Sequence, residues 1–174
     1  PNVIEAGVDT NVKVSATFSP SSIVADNISI MREGTILSSE DNANEATYEK
    51  TYKMFSGDVV FSGLATYKGL DFIKHANLSA RYPTYVGFGE EYGDIVNNKF
   101  KKIVSSVSGI RYTYTPSNAS YFILLVPSGV TKPKKITMGN NEAVMNTSTA
   151  SINGVSYTVY KSVNKLTYID MSIS

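Results

Sequence analysis

The chain has 174 residues and a mass of 18.9 kDa, room for one domain or two small ones. Its 42% hydrophobic and 18% charged residues describe a folded chain rather than a disordered one. With no Cys and a single His, His75, it excludes disulfide frameworks, thiolate metal sites, Cys nucleophiles and every scheme that needs two imidazoles. A net charge of +1 is too small to argue for nucleic acid, and no apolar run is long enough to span a membrane.

Charge is unevenly placed. Residues 1–80 carry 6 basic and 10 acidic side chains, a balance of −4, whereas residues 81–174 carry 10 basic and 5 acidic, a balance of +5. Opposite signs on consecutive segments predict two units. The first residue is Pro rather than Met, so an upstream segment is expected to have been removed or left out.

Strand signals dominate in chain order. Val12, Val14, Ala16 and Phe18 alternate with polar residues, the period-2 pattern of a sheet with one wet face, and Pro20 stops that strand. Ile28, Ile30 and Arg32 follow, and Glu33-Gly34 turns the chain into Ile36-Leu37. Polar, acidic Ser38 to Asn44 reads as an exposed loop. Thr47 to Met54 predicts a strand with Tyr48, Lys50, Tyr52 and Met54 on one face. Ser56-Gly57-Asp58 turns it into Val59 to Tyr67, and Lys68-Gly69 turns again into Leu70 to Leu78. About seven short strands with frequent turns predict an immunoglobulin-like antiparallel β-sandwich over residues 1–80.

Arg81-Tyr82-Pro83 marks a boundary, because the residue before Pro is pushed towards extended backbone. Residues 81–174 are expected to form a second small β-rich domain with a helix near 90–104. Thr84 to Gly89 reads as a strand and Glu90 to Lys102 as the helix. Asp94 is its candidate cap, Ile95, Val96, Phe100 and Ile103 its apolar stripe, and Lys99, Lys101 and Lys102 its basic end. Strands are expected again over Gly109 to Thr115, Tyr121 to Val126, Ile136 to Met138 and Ala143 to Met145, with Leu166, Tyr168 and Ile169 beginning the last one. Thr149 to Ile152 and Val155 to Tyr160 flank Asn153-Gly154, the preferred dipeptide of a type I′ hairpin turn.

Catalytic patterns are sparse. Glu90, Glu91 and Asp94 form the densest carboxylate cluster, but acids near a helix start serve the backbone dipole more often than acid–base chemistry. His75 lies mid-strand beside Lys74 with no readable partner. Neither Gly-x-Ser-x-Gly nor His-Glu-x-x-His occurs, and Gly87-Phe88-Gly89 lacks the spacing of a phosphate loop. No catalysis, no metal and no cofactor are expected. Lys132-Pro133-Lys134-Lys135 and Lys99-Phe100-Lys101-Lys102 read as solvated basic clusters.

Tyrosine is the more informative residue. Aromatic rings stack on sugars, while Asn side chains bond their hydroxyls. Tyr85, Phe88, Tyr92, Tyr112 and Tyr114, with Asn118, Asn140 and Asn141, are the candidate binding residues, though the same rings also suit the core of a Trp-free β domain.

The stretch Tyr121-Phe122-Ile123-Leu124-Leu125-Val126-Pro127-Ser128-Gly129-Val130, then Ile136-Thr137-Met138-Gly139 and the segment from Thr149 to Lys161, resembles a module of tail proteins from phages and prophages of Bacteroidales. Tyr67-Lys68-Gly69-Leu70 and Ala80 to Gly89 are similar to the linker that joins an Ig-like domain to that module. The resemblance implies a subunit of a virion appendage, of tail-fibre or receptor-binding type. It also implies a homo-oligomer, with a trimer favoured, and contacts to other virion proteins; a host surface glycan is the ligand that the candidate rings and amides suit, and a structural spacer that binds none is the alternative for residues 81–174. The motifs are structural, and none is catalytic. A carbohydrate-binding module or surface adhesin of a gut bacterium, placed on the cell surface, is the competing expectation.

Overall fold

The computed structural model describes residues 3–55, 57–103 and 109–174, and 66% of the chain is strand. Two compact units divide it at Tyr82 and Pro83. The predicted boundary at residue 80 moves by two positions, because the last strand of the first unit runs on to Arg81 and the Tyr82 ring packs on that unit's core.

The first unit contains β1 (Val3–Glu5), β2 (Thr10–Thr17), β3 (Ala25–Arg32), β4 (Thr35–Ala43), β5 (Glu45–Tyr52), β6 (Gly57–Tyr67) and β7 (Leu70–Arg81). One sheet has the order β1-β7-β6-β3-β4, and β2 pairs β5 as a second, two-stranded layer. The arrangement is a β-sandwich with a five-stranded and a two-stranded layer. The alternation in β2 points Val12, Val14 and Ala16 at the large sheet, where Ile28, Ile30, Phe61 and Ala65 are buried. Each large apolar side chain so buried stabilises the fold by about 1.5–3 kcal/mol. Hairpin turns form at Glu33-Gly34 and Lys68-Gly69, all four with positive φ. Of the predicted turn at Ser56-Gly57-Asp58, Ser56 lies outside the described residues, while Gly57 and Asp58 already belong to β6.

Ser38 to Asn44 is not a loop. Residues up to Ala43 continue β4, which pairs β3 through Ala25↔Ala43. β4 is the sheet edge, and its polar side chains bond across the strand pair. The Asn27 amide donates to Ser39 Oγ and to Asp41 Oδ1, both at 2.8 Å. Cross-strand pairs and solvation hold an edge strand without an apolar pattern.

The second unit contains β8 (Thr84–Gly89), a 3-10 helix (Tyr92–Asn97), β9 (Phe100–Ile103), β10 (Ile110–Tyr114), β11 (Tyr121–Pro127), β12 (Ile136–Met138), β13 (Asn141–Glu142), β14 (Met145–Ile152), β15 (Val155–Ser162) and β16 (Ile169–Ile173). Two sheets are formed, β14-β15-β11-β8-β9 and β10-β16-β12-β13. Central β11 is buried on both faces, which explains its unbroken apolar run. Phe122, Leu124 and Val126 meet Ile136, Ile169, Met171 and Ile173 of the smaller sheet. Ile123 and Leu125 point the other way, towards Phe100, Tyr157 and Val159.

The expected helix is short. It stops at Asn97, and Asn98 takes a left-handed φ of 56°. Phe100 to Ile103 are strand instead of helix, so the supposed basic helix end is split between two faces of β9, with Lys101 and Lys102 on opposite sides. Tertiary pairing with β8 overrides a weak helical stripe. Position 104 and the Val96 side chain lie outside the described residues. The predicted strand at Ala143 to Met145 also shifts. Asn141–Glu142 pairs β12, and Met145 already belongs to β14. Leu166 makes an isolated bridge to Ser120 before β16 begins at Ile169. The Asn153-Gly154 turn forms where expected, with φ of 51° and 79°.

Candidate functional site

The sandwich spreads the eight candidate binding residues over several surfaces of the second unit. Tyr112 and Tyr114 lie two apart on β10 and share the face turned to the larger sheet. Tyr114 stacks on Phe88, with ring centroids 3.9 Å apart and planes 14° from parallel. Tyr112 meets Phe122 at 5.9 Å. Burial, and then Tyr114, push the Tyr112 hydroxyl above its ordinary pKa, so it stays protonated through the neutral range. These rings form one aromatic cluster, and Tyr114 remains 37% exposed.

The others do not join it. Tyr85 faces the opposite side of its sheet and packs on Tyr157 at 5.9 Å. Tyr92 is exposed on the 3-10 helix. Exposed Asn118 precedes β11, and its carbonyl accepts a bond from Ser120 Oγ at 3.1 Å. Asn140 and Asn141 sit at the β12–β13 hairpin, at the opposite edge of the small sheet from β10. Phe88, Tyr112 and Tyr114 are therefore the subset that tertiary structure gathers, Phe88 and Tyr112 by packing on the core.

The carboxylate cluster folds into a latch. Gly89 has no Cβ, and an added one would overlap the Asp94 carboxylate. Asp94 Oδ2 accepts the backbone N–H of Glu90 at 2.9 Å and of Glu91 at 3.5 Å, while Oδ1 faces Lys99 Nζ at 3.5 Å. The Glu90 N–H is the main reason the Asp94 carboxyl is held below the usual range, with Glu91 and Lys99 adding to it. Lys161 Nζ donates to the Glu90 carbonyl at 2.5 Å and to Glu91 Oε1 at 2.9 Å, and Lys165 Nζ donates to Glu90 Oε1 at 2.8 Å. Both lysines lie over the Tyr121 ring, at 4.3 Å and 5.6 Å from its centroid. Glu90 raises the Lys165 pKa. Each acid is engaged by a donor that fixes the segment between β8 and β9. The lysine partners lie about 70 residues away in sequence, beyond the reach of local spacing arguments.

Elsewhere, His75 Nδ1 lies 2.9 Å from Ser62 Oγ on an exposed strand pair. The backbone N–H groups of Lys134 and Lys135 donate to the Ser174 carbonyl, so the Lys132 to Lys135 segment is held by main chain while its lysines stay in water. Among the described residues no three His, Asp or Glu side chains gather in a metal-ligand cluster. No protein-family model matches the chain, and a search of the curated proteins returns no match.

Proposed function

We propose that the chain is a non-catalytic structural and adhesive subunit of a virion appendage, of tail-fibre or receptor-binding type. One observation carries the reading: the densest carboxylate cluster among the described residues is engaged in holding the β8–β9 segment through Asp94, Lys161 and Lys165. Side chains that would do acid–base work serve architecture instead. The resemblance of residues 121–161 to phage tail modules supports the placement on a virion, and homo-oligomerisation, as a trimer beside other virion proteins, follows from that placement. The Phe88–Tyr114 stack favours a second component to the reading, contact with a host surface glycan, because the partly exposed Tyr114 ring offers a surface to a sugar. Single sites of this kind are weak, and several copies on one fibre raise the avidity. The competing assignment is a carbohydrate-binding module or adhesin on a bacterial surface.

Immunogold labelling with antibodies to this chain, together with mass measurement in solution, tests the proposal. Label on purified phage particles and a trimeric mass are expected. Label confined to the bacterial envelope, with a monomeric mass, would replace the virion reading by the adhesin.

A further inference from the structure

In the first unit the covering layer has two strands for a partner sheet of five. β5 lies over β3 and β4, and β2 lies over β3 and β6. Among the described residues no strand covers the inner face of β7 from Leu70 to Ala76. Every residue of that strand from Leu70 to Asn77 is exposed, and burial begins only at Leu78. Leu70 is 64% exposed and Phe72 48%, unusual values for apolar side chains on the inward side of a sandwich. Between β2 and β7 opens a cleft of about 730 Å³, whose apolar lining includes Val14, Ala16, Phe18, Ile30, Phe61 and Phe72. Phe18 closes one end, with its ring 5.5 Å from Phe72 and 5.7 Å from Tyr67.

Backbone polarity points the same way. The Phe18 N–H donates to the Asn44 carbonyl, on the β5 side of β2. By the alternation of an antiparallel ladder, Thr17, Ser15 and Lys13 turn their N–H and C=O groups to the other edge of β2, which pairs with no strand among the described residues. A strand laid along that edge would complete its hydrogen bonds and lie over Phe72, Lys74 and Ala76 of β7. We propose that this edge accepts one extended β-strand from a separate polypeptide, apolar at alternate positions, with a carboxylate facing Lys74. Lys74 lines the cleft on the inner face of β7 and has no ion pair among the described residues. Asp71 at the rim accepts from Thr66 Oγ1, and His75 is bonded to Ser62, so Lys74 sets the charge of the occupant. A second copy is the poorer donor, because among the described residues the apolar side chains of its edge strands already pack on its own cores, as Val12 and Leu37 do in the first unit and Ile110, Phe100 and Ala150 in the second. The inference is independent of the virion reading.

The opposite role for Lys74 is a guard, since a charge facing the open edge of β2 discourages pairing there. The probe is a nine-residue acetylated and amidated peptide with Val at alternate positions, Thr between them, and Glu at the central inward position. It is added free to the 174-residue chain, and in a second arm it is joined to Pro1 by a flexible Gly/Ser linker that raises its effective concentration to about millimolar. Amide exchange at Lys13, Ser15 and Thr17 should slow at least tenfold, more than with the same peptide carrying Lys at the centre, and Phe72→Lys should abolish the effect while leaving the circular dichroism unchanged. Unaltered exchange with the tethered peptide overturns the acceptor site. Slowed exchange in the chain alone, with a doubled mass, makes the occupant a second copy and overturns the assignment to a separate polypeptide. Self-association appearing only in Lys74→Thr, with the Glu and Lys peptides bound equally, would make Lys74 a guard and overturn the carboxylate.

Discussion

Gly87 offers the sharpest test of how the second unit is built. It sits on β8 between Phe100 of β9 and Ile123 of β11. A Cβ placed there would stand 2.5 Å from the Lys99 carbonyl oxygen and 2.9 Å from both Cα and Cγ of Phe100. Carbon contacts are comfortable at about 3.5–4.0 Å, and two of these three atoms are backbone that cannot rotate aside. Gly87→Ala therefore forces edge strand β9 to shift, at an overpacking cost of about 1–3 kcal/mol. Loss of unfolded-chain entropy returns about 0.4–1 kcal/mol, which at the middle of both ranges leaves a net destabilisation of about 1.3 kcal/mol. For a unit of this size that is a fall in Tm of about 5–10 °C. Gly93→Ala is the control, because nothing lies within 4 Å of its added Cβ and its φ is not left-handed. Thermal unfolding followed through NMR signals of β8 to β11, with amide exchange along β9, reads the difference. If the two variants melt together, the close approach of β9 to Gly87 is wrong.

Three further outcomes follow from the same geometry. The Asp94 carboxyl is held below its ordinary value chiefly by the Glu90 N–H, so its contribution is full above about pH 4, the unfolded value, and is lost as pH falls through the folded one. Asp94→Ala should cost about 0.5–1.5 kcal/mol at pH 7, the net worth of the hydrogen bond from the Glu90 N–H, and flatten stability against pH below 4, and denaturant curves from pH 5 to 2 with parallel slopes for both proteins would contradict it. Gly154→Val puts a β-branched residue at φ of 79° in the β14–β15 turn and should lower the stability of the second unit by about 1–2 kcal/mol, read as a shift of its urea midpoint. Tyr114→Ala removes an exposed stack worth about 0.5–1.5 kcal/mol; on an array of host-surface glycans the variant should lose any binding the parent shows, and retention of full binding would take the ring out of recognition.

Much of the β architecture was legible from local chemistry. The alternation of Val12, Val14 and Ala16 announced β2 because a sheet with one wet face imposes a period of two. Asn153-Gly154 announced its hairpin because few dipeptides accept left-handed φ at both positions. Pro83 marked the division of the chain through the steric demand it places on the residue before it. These features depend on neighbours within a few residues. The Ser38 to Ala43 part of β4 escaped detection because an edge strand held by Asn27, Ser39 and Asp41 has no need of apolar residues.

What only the tertiary structure decided are contacts made across long stretches of chain. Phe100 left the expected helix because β8 offered an edge and Gly87 a space for its ring. Glu90 and Glu91 became structural through Lys165 and Lys161, which no spacing along the chain connects to them. The candidate rings parted company because residues two apart share a face while Tyr85 and Phe88, three apart on one strand, face opposite sides. The uncovered cleft beside Phe72 has one trace in the sequence, the adjacent apolar Phe72 and Ile73 on an otherwise alternating strand. A strand pattern records which residues seek cover, but whether a second layer extends far enough to supply it depends on how many strands pair beside β2, and that is settled by the global fold.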